Sequence, residues 1–145
     1  MNRLNSLSGI AHWLPRLALA AIFFYHAFPK LAMAGAVSQM MGMPAAMVIM
    51  LGLVEAGGAV LILYGGAGKE WATRLAGLLF AIVMVGAIGM VHAAYGWNSV
   101  NMGTGNMGRG MEFQILIIAV SLFYAFKGNA VNNKNLAATP EKTIA

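Results

Sequence analysis

The chain has 145 residues, of which 60% are hydrophobic and only 9% are charged, and its mean hydropathy is +0.74. Several apolar runs approach twenty residues, the length of a transmembrane helix, so the composition indicates one integral membrane domain. Nine Lys and Arg residues stand against four acidic residues. Because these charges flank apolar runs, we expect a lipid bilayer and not nucleic acid as the partner. Cysteine is absent, which excludes dithiol chemistry by this chain.

Four apolar runs predict an all-α, integral membrane four-helix bundle. The predicted spans cover about 14–33, 45–64, 75–94 and 111–127, within a domain from 14 to 128. Residues 1–13 form an N-terminal segment before the first span, and a Gly- and Met-rich connection joins the first two spans. Residues 129–145 are polar, and we expect them to be a disordered tail.

Positive charge is unevenly distributed between the two sides of the predicted membrane. Lys30 and Arg109 fall on one side, and the opposite side holds Arg3, Arg16, Lys69, Arg74, Lys127, Lys134 and Lys142. Lys and Arg accumulate on the cytoplasmic side of membrane proteins. The bias therefore predicts two cytoplasmic termini in a multi-pass protein of a bacterial-type cytoplasmic (inner) membrane. A cleaved signal peptide is the alternative, because an apolar run, Pro29 and a small-x-small triplet at 32–34 follow Arg16.

Six ionisable residues lie in or beside the outer halves of the predicted helices, where isolated charges are costly. They are His26, Lys30, Glu55, His92, Arg109 and Glu112. His26 and Lys30 are four residues apart and share one helix face, and Pro29 between them predicts a bend. At about 1.5 Å rise per residue, His26 and Glu55 lie at similar depth. This depth predicts a hydrogen-bonded His26–Glu55 pair, with Lys30 above it and Glu112 offsetting the lysine charge.

These residues also carry a resemblance to the DoxX family of small four-helix membrane proteins. The resemblance extends from about Arg16 to Gly128. The residues on which it rests are Arg16, the run Phe24–Leu31, Glu55 with Gly57 and Gly58, Arg74, His92 and the run Gly110–Ala119. The family name is tied to subunits of a thiosulfate:quinone oxidoreductase, and relatives are described as membrane partners of redox-defence enzymes. The resemblance therefore implies a quinone-linked or redox-associated role beside redox-enzyme partner subunits.

Two classes of function follow from the polar residues. In the first, an enzyme subunit binds a quinone or another small redox substrate in a polar pocket, and His26 and Glu55 are catalytic candidates that handle protons. The candidate substrate-binding residues are Lys30, His92, Arg109 and Glu112, with Lys30 or Arg109 holding an oxyanion. In the second, the protein is a non-enzymatic scaffold whose buried charges only specify helix packing. The sequence is compatible with a homo-oligomer in both classes.

Methionines are concentrated in the predicted outer loops, at Met40, Met41, Met43, Met102 and Met107. Thioethers are soft ligands, so capture of Cu(I) is a third hypothesis. Flexible methionine side chains also fill gaps in apolar packing, and we expect that role here, with no metal ligand assigned. No flavin, haem or iron–sulfur motif occurs in the sequence, and the residues themselves identify no cofactor. Quinone is the cofactor that the resemblance implies.

Overall fold

The computed structural model describes residues 7, 9–101, 103 and 105–132, and all regular elements in these residues are helical. The α-helices are α1 (Trp13–Ala32), α2 (Ala34–Met41), α3 (Ala45–Gly66), α4 (Glu70–Ala87) and α5 (Glu112–Lys127). Helix α4 continues as a π-helical turn, Ile88–His92, and a 3₁₀ turn, Ala93–Tyr95; α5 is followed by a 3₁₀ turn, Gly128–Asn132. The predicted all-α fold class is confirmed.

Three helical segments are long and apolar enough to cross a membrane: Ala45–Gly66, Glu70–Tyr95 and Glu112–Val131. A further segment, Gly9–Ala32, meets the same criterion together with α2, from which it is separated by a bend of 103°. The described residues therefore contain three candidate spans, or four if the bent pair forms one span.

The bend after the first long helix lies at Met33 and not at Pro29. Pro29 stays inside α1, and the Met33 N–H donates to its carbonyl at 2.9 Å. The backbone of Met33 leaves helical geometry, with φ −134° and ψ 42°. Beyond it, the predicted connection contains α2, which ends at Gly42 with φ 64°, a left-handed conformation that glycine adopts readily.

The long helices run in alternating directions and pack in chain order: α1 on α3, α3 on α4 and α4 on α5. The end of the bundle at which α1 begins is called the Arg16 end, and the opposite end, closed by the connection 96–111, is called the loop end. In the core, the rings of Phe23 on α1 and Phe80 on α4 are fully buried and stack with centroids 3.7 Å apart. This stacking brings α1 against α4 and closes the bundle across its centre.

Glycines determine the closest approaches between helices. A Cβ atom on Gly77 of α4 would collide with the backbone of Ser121 and Ala125 on α5. By contrast, a Cβ atom on Gly86, in the same helix, would have no neighbour within 4 Å. Small residues allow this kind of close packing between membrane helices, so Gly77 and not Gly86 sets the distance between α4 and α5.

We expect Gly77→Ala to destabilise the bundle by about 1–3 kcal/mol, because the added methyl group has to push α5 away. Gly86→Ala is the matched control, and it should be neutral or slightly stabilising since alanine favours a helix over glycine by roughly 1 kcal/mol. Unfolding of both variants in detergent measures the difference. Equal effects of the two substitutions would contradict this account of the α4–α5 contact.

Candidate functional site

A cavity of about 640 Å³ lies between the helices toward the loop end, and we name it the inner cavity. Its walls are mostly apolar and include methionine side chains from several elements. Its polar lining residues are His26, Lys30, Glu55, His92 and Gln114. A concave, mostly apolar space of this size with a few polar groups is typical of a small-molecule site.

Lys30 of α1 and Glu55 of α3 form a buried ion pair at this cavity. The Lys30 ammonium donates to Oε1 and Oε2 of Glu55 at 3.0 and 2.8 Å, and to the carbonyl of His26 at 2.9 Å. Only 9% of Lys30 and 3% of Glu55 is exposed. An ammonium group has three donors, so Lys30 has none left for a ligand in this arrangement.

A glycine one turn from Glu55 allows this pair to form. A Cβ atom on Gly52 would lie 3.0 Å from the side chains of Lys30 and Leu31, so α1 and α3 almost touch at this level. The predicted His26–Glu55 hydrogen bond is wrong: Lys30 donates to both oxygens of the Glu55 carboxylate, and His26 donates to neither. Within the described residues, the His26 imidazole makes no hydrogen bond, and it is exposed at the inner cavity.

Glu112 does not offset the charge of Lys30, contrary to the sequence prediction. Its Oε1 atom accepts a hydrogen bond from the Ser99 N–H at 2.9 Å. Glu112 instead lines a second cavity, of about 630 Å³, which we name the outer cavity. Three residues line both cavities: His92, Phe113 and Gln114. The two cavities therefore share a wall.

Hydrogen bonds hold the imidazole of His92 in this shared wall. Its Nδ1 lies 2.8 Å from the Arg109 carbonyl, and its Nε2 lies 3.0 Å from Nε2 of Gln114. Since a carbonyl oxygen only accepts, we assign the proton to Nδ1, and Nε2 then accepts from the Gln114 amide. The Arg109 guanidinium lies 5.6 Å from the ring centroid of Tyr95 and donates to its hydroxyl at 3.3 Å.

The structure thus separates the six residues singled out in the sequence. His26, Lys30, Glu55 and His92 line the inner cavity, Glu112 lines the outer cavity, and Arg109 lines neither. Gln114 was missed, although an amide near the start of an apolar run is a signal that sequence reasoning could have used. Within the described residues, no group of three or more His, Asp or Glu residues is arranged to hold a metal ion.

A second polar centre, which the sequence did not predict, surrounds Arg16 at the other end of the bundle. Arg16 is fully buried, and its Nη1 donates to the Ile62 carbonyl and the Thr73 hydroxyl, both at 2.9 Å. Its Nη2 donates to Oδ1 of Asn129 at 3.0 Å, and the guanidinium lies 4.5 Å from the ring centroid of Tyr124. No carboxylate in the described part of the chain pairs with Arg16.

Asn129 belongs to the segment that the sequence predicts as a disordered tail. Its side chain accepts from Thr73 at 2.7 Å and donates to the Gly65 carbonyl at 2.9 Å. The bundle therefore extends to the turn Gly128–Asn132, which contacts α3, α4 and α5. Residues 133–145 of the predicted tail lie outside the described residues. Asparagine near the start of a polar tail gives no sequence signal for this role.

Apolar helices with polar side chains buried between them define a multi-pass, all-helical membrane protein. The model of the family described as DoxX matches residues 11–93, more than half of the chain, and the chain belongs to the DoxX family. The match includes Arg16, Lys30, Glu55 and His92 and ends before α5. The resemblance noted in the sequence is confirmed. No curated protein and no solved structure matches the chain.

We expect Lys30→Met and Glu55→Gln each to destabilise the protein by about 3 kcal/mol or more, because each leaves a buried polar group without its partner. The double variant should lose less than the sum of the two. Unfolding in detergent measures the coupling, and His26→Ala combined with Glu55→Gln is the control, expected to be additive. Additive effects at Lys30 and Glu55 would show that the ion pair does not form.

Proposed function

We propose that this protein is a membrane subunit that binds a quinone in the inner cavity. The observation that supports the proposal is the cavity itself: about 640 Å³ of mostly apolar space with His26 exposed in its wall and engaged in no hydrogen bond within the described residues. A quinone combines an apolar ring and tail with two carbonyl acceptors. It therefore has the amphipathic character that such a site requires.

The charges around the inner cavity favour an uncharged ligand. Lys30 and Glu55 neutralise one another, and the remaining ionisable lining residues are His26 and His92. An anion would lose its hydration without gaining an unpaired cation, which is unfavourable in a medium of low polarity. The oxyanion-binding role suggested for Lys30 and Arg109 is therefore not part of the proposal. All three donors of the Lys30 ammonium are already used, and Arg109 lines neither cavity.

His26 is the residue that we assign to proton exchange with the ligand. Its ring can donate to or accept from a ligand oxygen, as a general acid or base does. Glu55 acts through Lys30, which it holds in place, and the His92–Gln114 pair forms the wall toward the outer cavity. A bound quinone would supply the electron-accepting chemistry, and a redox-enzyme partner subunit would exchange electrons with it.

Four membrane spans with both termini in the cytoplasm complete the proposal. The support is the excess of Lys and Arg at the Arg16 end, together with the alternating directions of the long helices. In this orientation the protein is a bacterial-type inner-membrane protein. The loop end, with both cavities, faces away from the cytoplasm.

Purified wild-type protein should carry quinone in its extracted lipids and bind a short-chain quinone in detergent. Ala87→Trp should abolish binding because Ala87 lines the inner cavity. Val85→Trp is the matched control, since Val85 is 60% exposed and does not line it. His26→Phe should weaken binding by roughly two- to tenfold, the equivalent of one hydrogen bond.

The same variants separate the quinone-binding subunit from the scaffold. If wild-type protein binds no quinone, and partner proteins still co-purify with Ala87→Trp and His26→Phe, the scaffold function is the correct one. Equal loss of quinone binding in the Ala87→Trp and Val85→Trp variants would show that the inner cavity is not the site.

The orientation can be tested by reporter fusions. Fusions to the C-terminus should report a cytoplasmic location, and insertions at Gly103 or Gly105 should report the opposite side. The reason is the charge bias, which places the connection 98–110 outside the cytoplasm. A C-terminus outside the cytoplasm would rule out this orientation, and a mature N-terminus near Gly35 would support the signal-peptide alternative.

A further inference from the structure

Methionines are concentrated in one part of the inner cavity. Seven of the twelve methionines in the chain line this cavity. Six of them lie toward the loop end and form what we name the methionine layer: Met40, Met41, Met43, Met47, Met50 and Met90. Three of these, Met47, Met50 and Met90, were not among the loop methionines considered in the sequence.

The register of α3 and α4 places methionines from both helices at one level. Gly58 lies against Phe80, and Gly65 lies against Thr73. The two helices are therefore antiparallel, and moving one residue forward along α3 corresponds to moving one residue backward along α4. Extended to the loop end, this register puts Met47 and Met50 opposite residues 91 and 88, on either side of Met90. Methionines of α3 and of the π-helical turn after α4 therefore line the cavity at the same depth.

Helix α2 and the turn after it bring the remaining methionines to this level. Met43 is held by Ser38, whose hydroxyl donates to the Met43 carbonyl at 2.6 Å and whose carbonyl accepts from the Met43 N–H at 3.2 Å. Met43 and Met47 are four residues apart, and Met40 and Met41 end α2. The turn thus holds the backbone of Met43 beside the start of α3.

The chemistry of the layer selects a soft cation of low charge. Thioethers are neutral, soft ligands that favour Cu(I). The carboxylate of Glu55 is held by Lys30, and both ring nitrogens of His92 are hydrogen bonded. Hard cations require several oxygen ligands, which this end of the cavity does not offer, and a single positive charge is less costly to bury than two.

We propose that the methionine layer is a binding site for Cu(I), entered from the loop end of the bundle. The site lies in the wall of the cavity that we propose for the quinone, but Cu(I) binding needs no quinone. For Met40, Met41 and Met43 it differs from the expectation that they serve packing alone. Packing and metal binding make different demands on the side chain. Leucine fills nearly the same apolar volume as methionine, but it has no sulfur to donate to a metal.

The test uses full-length protein purified in detergent without oxygen. Cu(I) is titrated in competition with a chromophoric Cu(I) chelator, and Ag(I) serves as a probe that does not change oxidation state. Wild-type protein should bind one equivalent of each ion. Met47→Leu combined with Met50→Leu should weaken binding by at least about tenfold, since even residues that only support metal ligands have effects of that size.

Met33→Leu combined with Met107→Leu is the matched control, because both residues are about as exposed as Met50 and Met90 but neither lines the cavity. This control should retain wild-type affinity for both ions. Failure of wild-type protein to compete with the chelator would overturn the proposal, as would equal loss in the two double variants. Quinone binding of wild-type protein is measured separately, without added metal, so the Cu(I) site and the quinone site can fail separately.

Discussion

The buried guanidinium of Arg16 is the interaction on which the assembly of the bundle depends. A charge taken out of water without a counter-ion is costly unless other groups replace its hydration. Here the replacements are a carbonyl of α3, a hydroxyl of α4, an amide after α5 and the ring of Tyr124. The α3 carbonyl, that of Ile62, lies just before the last turn of its helix, near the negative end of the macrodipole. Arg16 is therefore satisfied only when all of the long helices are in place.

Lys30 and Glu55 also carry buried charges, but their charges are stabilised by fewer helices. Each charge is the main partner of the other, and only α1 and α3 are needed to form the pair. Because the pair is complete in itself, α4 and α5 are free to stand away from it. The inner cavity is the consequence: a space that contains two charges in its wall and still presents no net charge to a ligand.

The sequence predicted the parts of the structure that depend on local composition. Runs of apolar residues predicted the long helices, and residues between about Arg16 and Gly128 predicted the family. Pairings between helices were not predictable in this way. His26 and Lys30 share a helix face, so periodicity does not decide between them as the partner of Glu55; the reach of the lysine side chain does. Gly77 and Gly86 are likewise equivalent in sequence, and only the position of α5 distinguishes them.

Sequence distance explains why the Arg16 centre was missed. Asn129 and Arg16 are 113 residues apart, and no periodic pattern links a residue of the first helix to one beyond the last. The same limit applies to Met47 and Met90, which line one cavity only because of how the helices pack. Contacts between residues of different helices are thus identified by the packing of the whole bundle, and the sequence pattern of a single helix does not reveal them.

The two ends of the bundle differ in how far their conformation can change. At the Arg16 end, a network of hydrogen bonds and the close approach of Gly65 to Thr73 leave little space. At the loop end, α4 widens into a π-helical turn, and α2 turns away from α1 at Met33. Single π-helical turns occur often at functional sites, and methionine side chains adapt readily to different shapes. The wall of the inner cavity at the loop end can therefore adjust its shape, while hydrogen bonds fix the bundle at the opposite end.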